Sequence, residues 1–371
     1  MKSFTHFLPL LASLAAASPI DLTKAGLHNL FTRQDIQTPI NASLPNITIF
    51  ATGGTIASQG STNTQTTGYS IGLGVQQLIT AVPELLNISN IAGYQISNVG
   101  SGDINSTISL TLAHMINAEL SKSSVSGVVV THGTDTLEET AFFLSSTVNS
   151  TKPVVIVGAM RPATALSADG PLNLYQAILL AGSPAARNRG VMITLNDRIG
   201  SAFYTTKNNA NTLDTFSSTE AGQLGSFVNQ VPYFFYAPAE PVGRTVFDLA
   251  NATSLAKVDI LFAHQDMAPD LIDSAVQGGA KGLVFAGVGA GGISSKANVA
   301  AQAAFNATGV PMVASHRSAD GLVPPTSDDD FIISSGYYNP QKARVLLQLG
   351  LTIGWGNEEI KEAFAKSLPV P

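Results

Sequence analysis

Cysteine is absent from the 371 residues, so no disulfide, thiol nucleophile, thiolate metal ligand or thiol redox centre is available to this chain. Charge is scarce as well. Only 12% of residues are Asp, Glu, Lys or Arg, about half the usual share. With 44% hydrophobic residues and a positive mean hydropathy, that scarcity excludes a disordered chain. There is no long basic run and the net charge is −6, which argues against nucleic acid or an anionic membrane as partner. The six histidines are scattered without ligand spacing, so no metal and no organic cofactor is expected. No Ser/His/Asp order resembling a hydrolase triad appears. No stretch reaches the about 20 apolar residues that a transmembrane helix needs. What remains is a long, apolar chain able to bury a large core, with two domains as the first expectation.

The N-terminus is informative. Lys2 precedes an apolar run, Phe7 to Ala17, that ends in the small residues of "LAAAS". This order fits a secretory signal peptide over residues 1–17. Residues 18–43 show no clear period and read as a pro-segment or loose tail. Secretion agrees with seven Asn-x-Ser/Thr sequons, at Asn41, Asn46, Asn87, Asn105, Asn149, Asn251 and Asn306. A secreted chain of this length can dispense with disulfides because its core is large.

From Leu44 onward, short β-branched runs end in Gly/Ser/Thr turns and lead into helical patterns: "ITIFATGGT", "GVVVTHGTD", "PVVIVGAMRP", "GVMITLND". Continuous apolar runs alternating with helices indicate a mostly parallel sheet flanked by helices on both faces, an α/β fold. The alternation pauses in the proline-rich residues 232–255 and restarts with "VDILFAH", "GLVFAG" and "VPMVASH". Residues 44–231 therefore read as a large N-terminal catalytic domain, 232–255 as a linker, and 256–371 as a smaller C-terminal α/β domain. Asn339-Pro340 predicts a capped helix start before "QKARVLLQLGLT".

In open α/β sheets the ligand crevice lies beyond the carboxyl ends of the strands. Two Gly-Thr turns, Gly54-Thr55 and Gly133-Thr134, fall there. Glycine allows a sharp turn and brings backbone N–H groups close to a ligand. The second turn also reads as a helix start. Asp135-x-x-Glu138 and Thr136-x-x-Glu139 both fit the capping box, so Glu138 and Glu139 are expected to do no more than cap. A threonine hydroxyl needs help to become a nucleophile. Tyr69, in a Gly/Thr-rich stretch after the first turn, and Lys207, in "SAFYTTKNNAN", are the candidate helpers.

"LPNITIFATGGTIAS" and "VVVTHGTDTLEETAFFL" together resemble the two signature segments of bacterial-type L-asparaginases. The resemblance continues through "GAMRPATALSADGPLNLYQA", "TTKNNANTLDTF", "AGVGAGG" and "NPQKARVLLQLGLT", covering most of residues 44–352. It implies hydrolysis of the small-molecule substrate L-asparagine to aspartate and ammonia, with L-glutamine as a secondary substrate. It implies Thr55 as nucleophile, Tyr69 as the tyrosine of a closing loop that helps activate it, and Thr134, Asp135 and Lys207 as a second triad. Ser101, in "NVGSGDIN", matches the serine that holds the substrate α-carboxylate, and Asp135 would also take its ammonium. Gly54 and Ala159 are the candidates for close backbone contact with substrate. A homotetramer is implied too, with each site between the large domain of one subunit and the small domain of its partner.

The match has departures. Gly102 stands where many relatives carry a glutamine that contacts substrate, and Ala290 where they often have asparagine or serine reaching a neighbouring site. The acidic residue lent across the interface has no clear counterpart, with Asp328, Asp329 and Asp330 as candidates. Two alternatives stand beside the enzyme: a secreted, non-catalytic binding protein of the same fold, and a nucleotide-binding oxidoreductase. The latter rests on a G-x-G-x-x-G at Gly287, Gly289 and Gly292, but no acidic ribose partner ends the next strand.

Overall fold

The computed structural model describes residues 34–35, 40–68, 70–327, 330–366 and 368. The segment read as a signal peptide lies outside these residues. In chain order the first elements are β1 (Gln34–Asp35), β2 (Asn46–Gly53), β3 (Ser58–Gln59), β4 (Ser70–Ile71) and α1 (Val75–Thr80). Next come β5 (Asn90–Val99), α2 (Ser106–Leu120), β6 (Gly127–Thr131), α3 (Leu137–Ser145), β7 (Val154–Val157) and α4 (Gly170–Gly182). Then β8 (Val191–Leu195), β9 (Arg198–Ser201), β10 (Thr206–Lys207), β11 (Phe216–Ser217), β12 (Gly225–Val228) and β13 (Val231–Phe234) complete the first half. The second half holds β14 (Val258–Phe262), α5 (Asp270–Gln277), β15 (Gly282–Gly287), α6 (Ser295–Thr308) and β16 (Met312–His316). It ends with β17 (Ile332–Ser334), α7 (Pro340–Thr352) and α8 (Asn357–Lys366).

The large sheet has the order β1-β5-β2-β6-β7-β8-β9-β12-β13, and the small one β14-β15-β16-β17. Strands β5, β2, β6, β7 and β8 are parallel, as are all four of the small sheet. Antiparallel β1 edges one side and antiparallel β9, β12 and β13 the other. The fold is thus α/β, a mixed, mostly parallel N-terminal sheet followed by a parallel C-terminal one.

Alternation along β6 explains its unbroken apolar run. Val128 and Val130 point into one core with Leu110, Leu137 and Phe142, while Val129 points into a second with Leu174 and Ile178. Both faces are covered, so no polar residue is needed on either. The first core continues into the C-terminal half through Val284, Val313 and Leu347. Helix α7 begins as its sequence predicts: Asn339 Oδ1 accepts from Lys342 N–H at 3.0 Å, with Pro340 at the first turn.

Two findings concern the stretch read as linker. Strand β13 occupies Val231–Phe234, so the large sheet extends into it; Pro232 is tolerated because β13 is an edge strand. The remainder is packed down. Arg244 Nε donates to Ser145 O at 2.7 Å, and Phe247 and Leu249 are buried in the first core.

Candidate active site

Adjacency in the sheet brings the candidate residues together. Strands β5, β2 and β6 are neighbours, and their carboxyl ends deliver Ser101, Thr55 and Thr134 to one place. The exit of β2 needs glycine twice, at Gly53 (φ 110°) and Gly54 (φ 80°). A Cβ on Gly53 would lie 2.5 Å from Val99 O, and one on Gly54 would lie 2.3 Å from both Cα and N of Gly133. A Cβ on Gly133 would in turn meet Ser101 Oγ at 3.0 Å and Gly54 Cα at 3.2 Å. The two Gly-Thr turns are therefore in backbone contact, with Ser101 against the second. Thr55 opens a short 3-10 turn, Thr55–Ala57, directly after this contact. Thr55, Ser101 and Thr134 are 9%, 7% and 5% exposed, so all three are sheltered rather than on an open surface.

Lys207 reaches this cluster from β10. Its Nζ donates to Thr134 Oγ1 at 3.0 Å and to Asp135 Oδ1 at 2.6 Å. The lysine side chain is 13% exposed, whereas that of Asp135 is 82% exposed. One ammonium thus holds a sheltered hydroxyl and an open carboxylate in fixed relation. Donation to Oγ1 leaves the Thr134 proton to point elsewhere, and a cation beside the hydroxyl favours its polarised form.

The residues flanking the second turn correct the capping expectation. Thr136 is the N-cap of α3 but makes no side-chain cap. Its Oγ1 donates instead to Ser101 O at 2.7 Å, tying the β5 exit to the helix start. Glu138 is only 4% exposed. Its Oε2 accepts from Lys207 N–H at 2.7 Å and from Thr206 Oγ1, and its Oε1 accepts from Asn339 Nδ2 at 3.3 Å. Glu139 Oε2 pairs with Arg344 Nη2 at 2.9 Å; burial pushes its carboxyl upward, and Arg344 opposes that shift. Neither glutamate's carboxylate bonds back to the N-cap among the described residues, because neighbouring elements offer partners that a bare helix end lacks.

Two buried groups of opposite type frame the site. His132 ends the run before Gly133 and is wholly buried. Its Nδ1 lies 2.7 Å from Gly133 O and its Nε2 2.9 Å from Thr140 Oγ1. A carbonyl only accepts, so Nδ1 carries the proton and Nε2 accepts from the threonine. Burial lowers the imidazole pKa to about 4, so His132 is neutral and braces the Gly133 carbonyl. Lys342, 2% exposed, donates from Nζ to Thr205 O at 2.7 Å. Burial brings its ammonium down to about 8, against the opposing charges of Glu138 and Asp320.

The other sequence candidates fall as follows. Tyr69 lies outside the described residues. The Gly54 N–H donates to Val99 O at 3.0 Å, and Ala159 is wholly buried in the second core, so in this structure the two shape the turn and its backing. Asn105 is exposed, with Oδ1 turned back to accept from Ile108 N–H at 3.0 Å as the cap of α2. Asn46 is the sequon most engaged by the fold: its Nδ2 donates to Ser124 O and its Oδ1 accepts from Asn90, both at 2.8 Å. The other five, Asn41, Asn87, Asn149, Asn251 and Asn306, are exposed. Asp328 and Asp329 lie outside the described residues, and Asp330 accepts locally from Ser327 N–H. The G-x-G-x-x-G loop closes on itself. Val288 and Gly292 exchange both backbone bonds at 2.8 Å, and Ser294 already caps α6, so these amides do not form a phosphate cradle.

Glu138, Thr206 and Asn339 are the neighbours that the sequence reading missed. One signal was available for Glu138. The glutamate is followed at three and four residues by Ala141 and Phe142 in a helix, "LEETAFFLS", whose apolar residues run almost all round, and a helix of that kind is buried. A carboxylate there must be paired.

Comparison with known proteins agrees with this geometry. Residues 46–240 match the family model described as asparaginase, N-terminal, and residues 257–364 the glutaminase/asparaginase C-terminal domain. The chain is 52% identical to L-asparaginase 2-3 of Saccharomyces cerevisiae over 329 residues, 88% of this chain and 91% of that protein. It is 43% identical to L-asparaginase 2 of Escherichia coli, across 87% and 93% of the two chains. A crystal structure of a probable cytoplasmic L-asparaginase from Campylobacter jejuni superposes with a TM-score of 0.83 at 41% identity, covering 87% of this chain and 99% of that one. Both halves of the chain therefore belong to the asparaginase family.

Proposed function

We propose that this asparaginase hydrolyses L-asparagine to L-aspartate and ammonia through a covalent threonine ester, with L-glutamine as a secondary substrate. Thr55 Oγ attacks the side-chain amide carbon, Tyr69 assisting removal of its proton. The tetrahedral intermediate expels ammonia once the leaving nitrogen is protonated. Water then cleaves the aspartyl ester and regenerates Thr55. Among the described residues the Thr134 and Asp135 N–H groups meet no acceptor, which suits them to face the developing oxyanion. Ser101 receives the α-carboxylate and Asp135 the α-ammonium. The single observation that carries this reading is the ammonium of Lys207 bonded to both Thr134 and Asp135, on a turn in backbone contact with Gly54. Ammonia release from L-asparagine and L-glutamine by wild type and Thr55→Ala tests it. Activity on asparagine that survives the substitution would sink the nucleophile assignment.

The same reading takes the protein to be secreted, glycosylated and homotetrameric. The signal-like segment and the exposed sequons support the first two. The open Asp135 carboxylate suits a site completed by a second subunit, and exposed Phe235, Tyr236 and Phe262 suit association. Light scattering on purified protein reports the assembly. Glycopeptide mapping reports the glycans, with Asn46 expected to be empty.

A further inference from the structure

Lys207 is held in an unusual way. Strand β10 has two residues, Thr206 and Lys207, and among the described residues pairs only with the two residues of β11. So short a ladder fixes a lysine poorly by itself. Behind it lies a cavity of about 260 Å³ whose lining includes Thr206, Asn339 and Lys342, so close-packed side chains do not back the strand there. What holds the strand is a set of hydrogen bonds from two helices. From α3, Glu138 Oε2 accepts from both Lys207 N–H and Thr206 Oγ1. From α7, Asn339 Nδ2 donates to Thr206 Oγ1 at 3.0 Å and to Glu138 Oε1 at 3.3 Å, and Lys342 Nζ holds Thr205 O. Asn339 Oδ1 is meanwhile fixed as the cap of α7.

We infer that Glu138 is a positioning residue for Lys207, and that Asn339 extends its grip into the C-terminal domain, so that docking of α7 sets the lysine against Thr134 and Asp135. Glu138 lies on the first turn of the same helix that Thr134 and Asp135 precede. It therefore ties the lysine's backbone to the element whose side chains the ammonium serves. A rigid second contact of this sort is what keeps a charged group in register with its targets. The inference rests on the reading in which Lys207 serves the second triad.

The test is steady-state kinetics on L-asparagine, run well below each variant's melting temperature, for Lys207→Met, Glu138→Gln and the double variant Glu138→Gln/Asn339→Asp. In the single variant the new glutamine keeps an oxygen for Lys207 N–H but turns an amide NH₂ toward that of Asn339. The double variant reverses this polarity, because the introduced aspartate accepts from that glutamine amide and still caps α7. The expected result is an inactive Lys207→Met and a Glu138→Gln whose kcat falls about tenfold with KM within threefold. At least half of that loss on a logarithmic scale should return in the double variant. A purely structural role would lower the melting temperature and leave kcat in place. Should Glu138→Gln not fold, Thr206→Val removes at constant shape the hydroxyl that donates to Glu138 and accepts from Asn339, and is expected to lower kcat about threefold. If Lys207→Met is inactive while Glu138→Gln, or in its place Thr206→Val, turns over like wild type, the inference is overturned and the site reading stands. If Lys207→Met stays active, the site reading itself fails, and this inference with it.

Discussion

Acid should weaken this protein through His132, one residue before the second Gly-Thr turn. The imidazole is wholly buried and held neutral, with its pKa lowered from 6.5 to about 4. Between those two values the unfolded chain binds a proton at this position and the folded chain does not. Stability contributed by the neutral histidine is therefore complete above pH 6.5 and is lost as pH falls toward 4. A difference of this size corresponds to roughly 3 kcal/mol, at about 1.36 kcal/mol per pKa unit. Glu139 acts in the opposite sense. Its raised carboxyl pKa gives stability that is present in acid and lost as pH rises. The raw stability curve mixes the two, so the informative quantity is a difference between proteins. Urea unfolding of wild type and His132→Asn at one protein concentration, from about pH 4 to about pH 7.5, isolates the histidine. Near neutrality the variant should be the weaker, having lost the Thr140 bond and packing volume. That gap should shrink by roughly 3 kcal/mol on acidification. A gap that stays constant across the window would refute the claim that His132 is buried neutral.

Two further outcomes follow from the glycines of the site. Gly54→Ala places a Cβ 2.3 Å from the Gly133 backbone at φ 80°, so the turns must part by about 1 Å; kcat/KM should fall about a hundredfold or more, read by ammonia release. Gly102→Gln meets open space, since a Cβ added at this glycine would have nothing within 4 Å, and it supplies the substrate-contacting side chain that the family resemblance implies at this position. Its KM for L-asparagine should drop by roughly fivefold, the worth of about one hydrogen bond, and an unchanged KM would show that this position does not reach the ligand.

Much of the architecture was legible because burial on two faces leaves a plain mark. The runs at β2, β6, β7 and β8 carry apolar residues or threonine at successive interior positions, as a parallel sheet covered on both faces asks. The strand exits at Gly54 and Gly133 were legible for a related reason, since a sharp turn with close backbone approach leaves glycine few substitutes. The far edge was not. Strand β13 contains Pro232, which reads as loop until an open edge is seen beside it. The support of the site was hidden most deeply. Glu138 and Glu139 satisfy a local capping pattern, yet their partners lie on β10 and α7, many residues away in sequence. Local pattern and distant pairing ask for the same residue type there, and only the three-dimensional neighbours tell them apart. The glycine-rich loop after β15 shows the converse: its spacing fits a nucleotide fingerprint, while its amides bond across their own turn.

The central claim is that Thr55 forms a covalent ester with the substrate while Thr134, Asp135 and Lys207 serve as a separate set. Rapid acid quench of enzyme turning over L-asparagine, followed by peptide mass spectrometry, tests this most directly. The account expects an aspartyl adduct on the peptide containing Thr55, localised to that hydroxyl and absent from Thr55→Ala. An adduct on Thr134 instead, or full turnover of the Thr55→Ala variant, would contradict it.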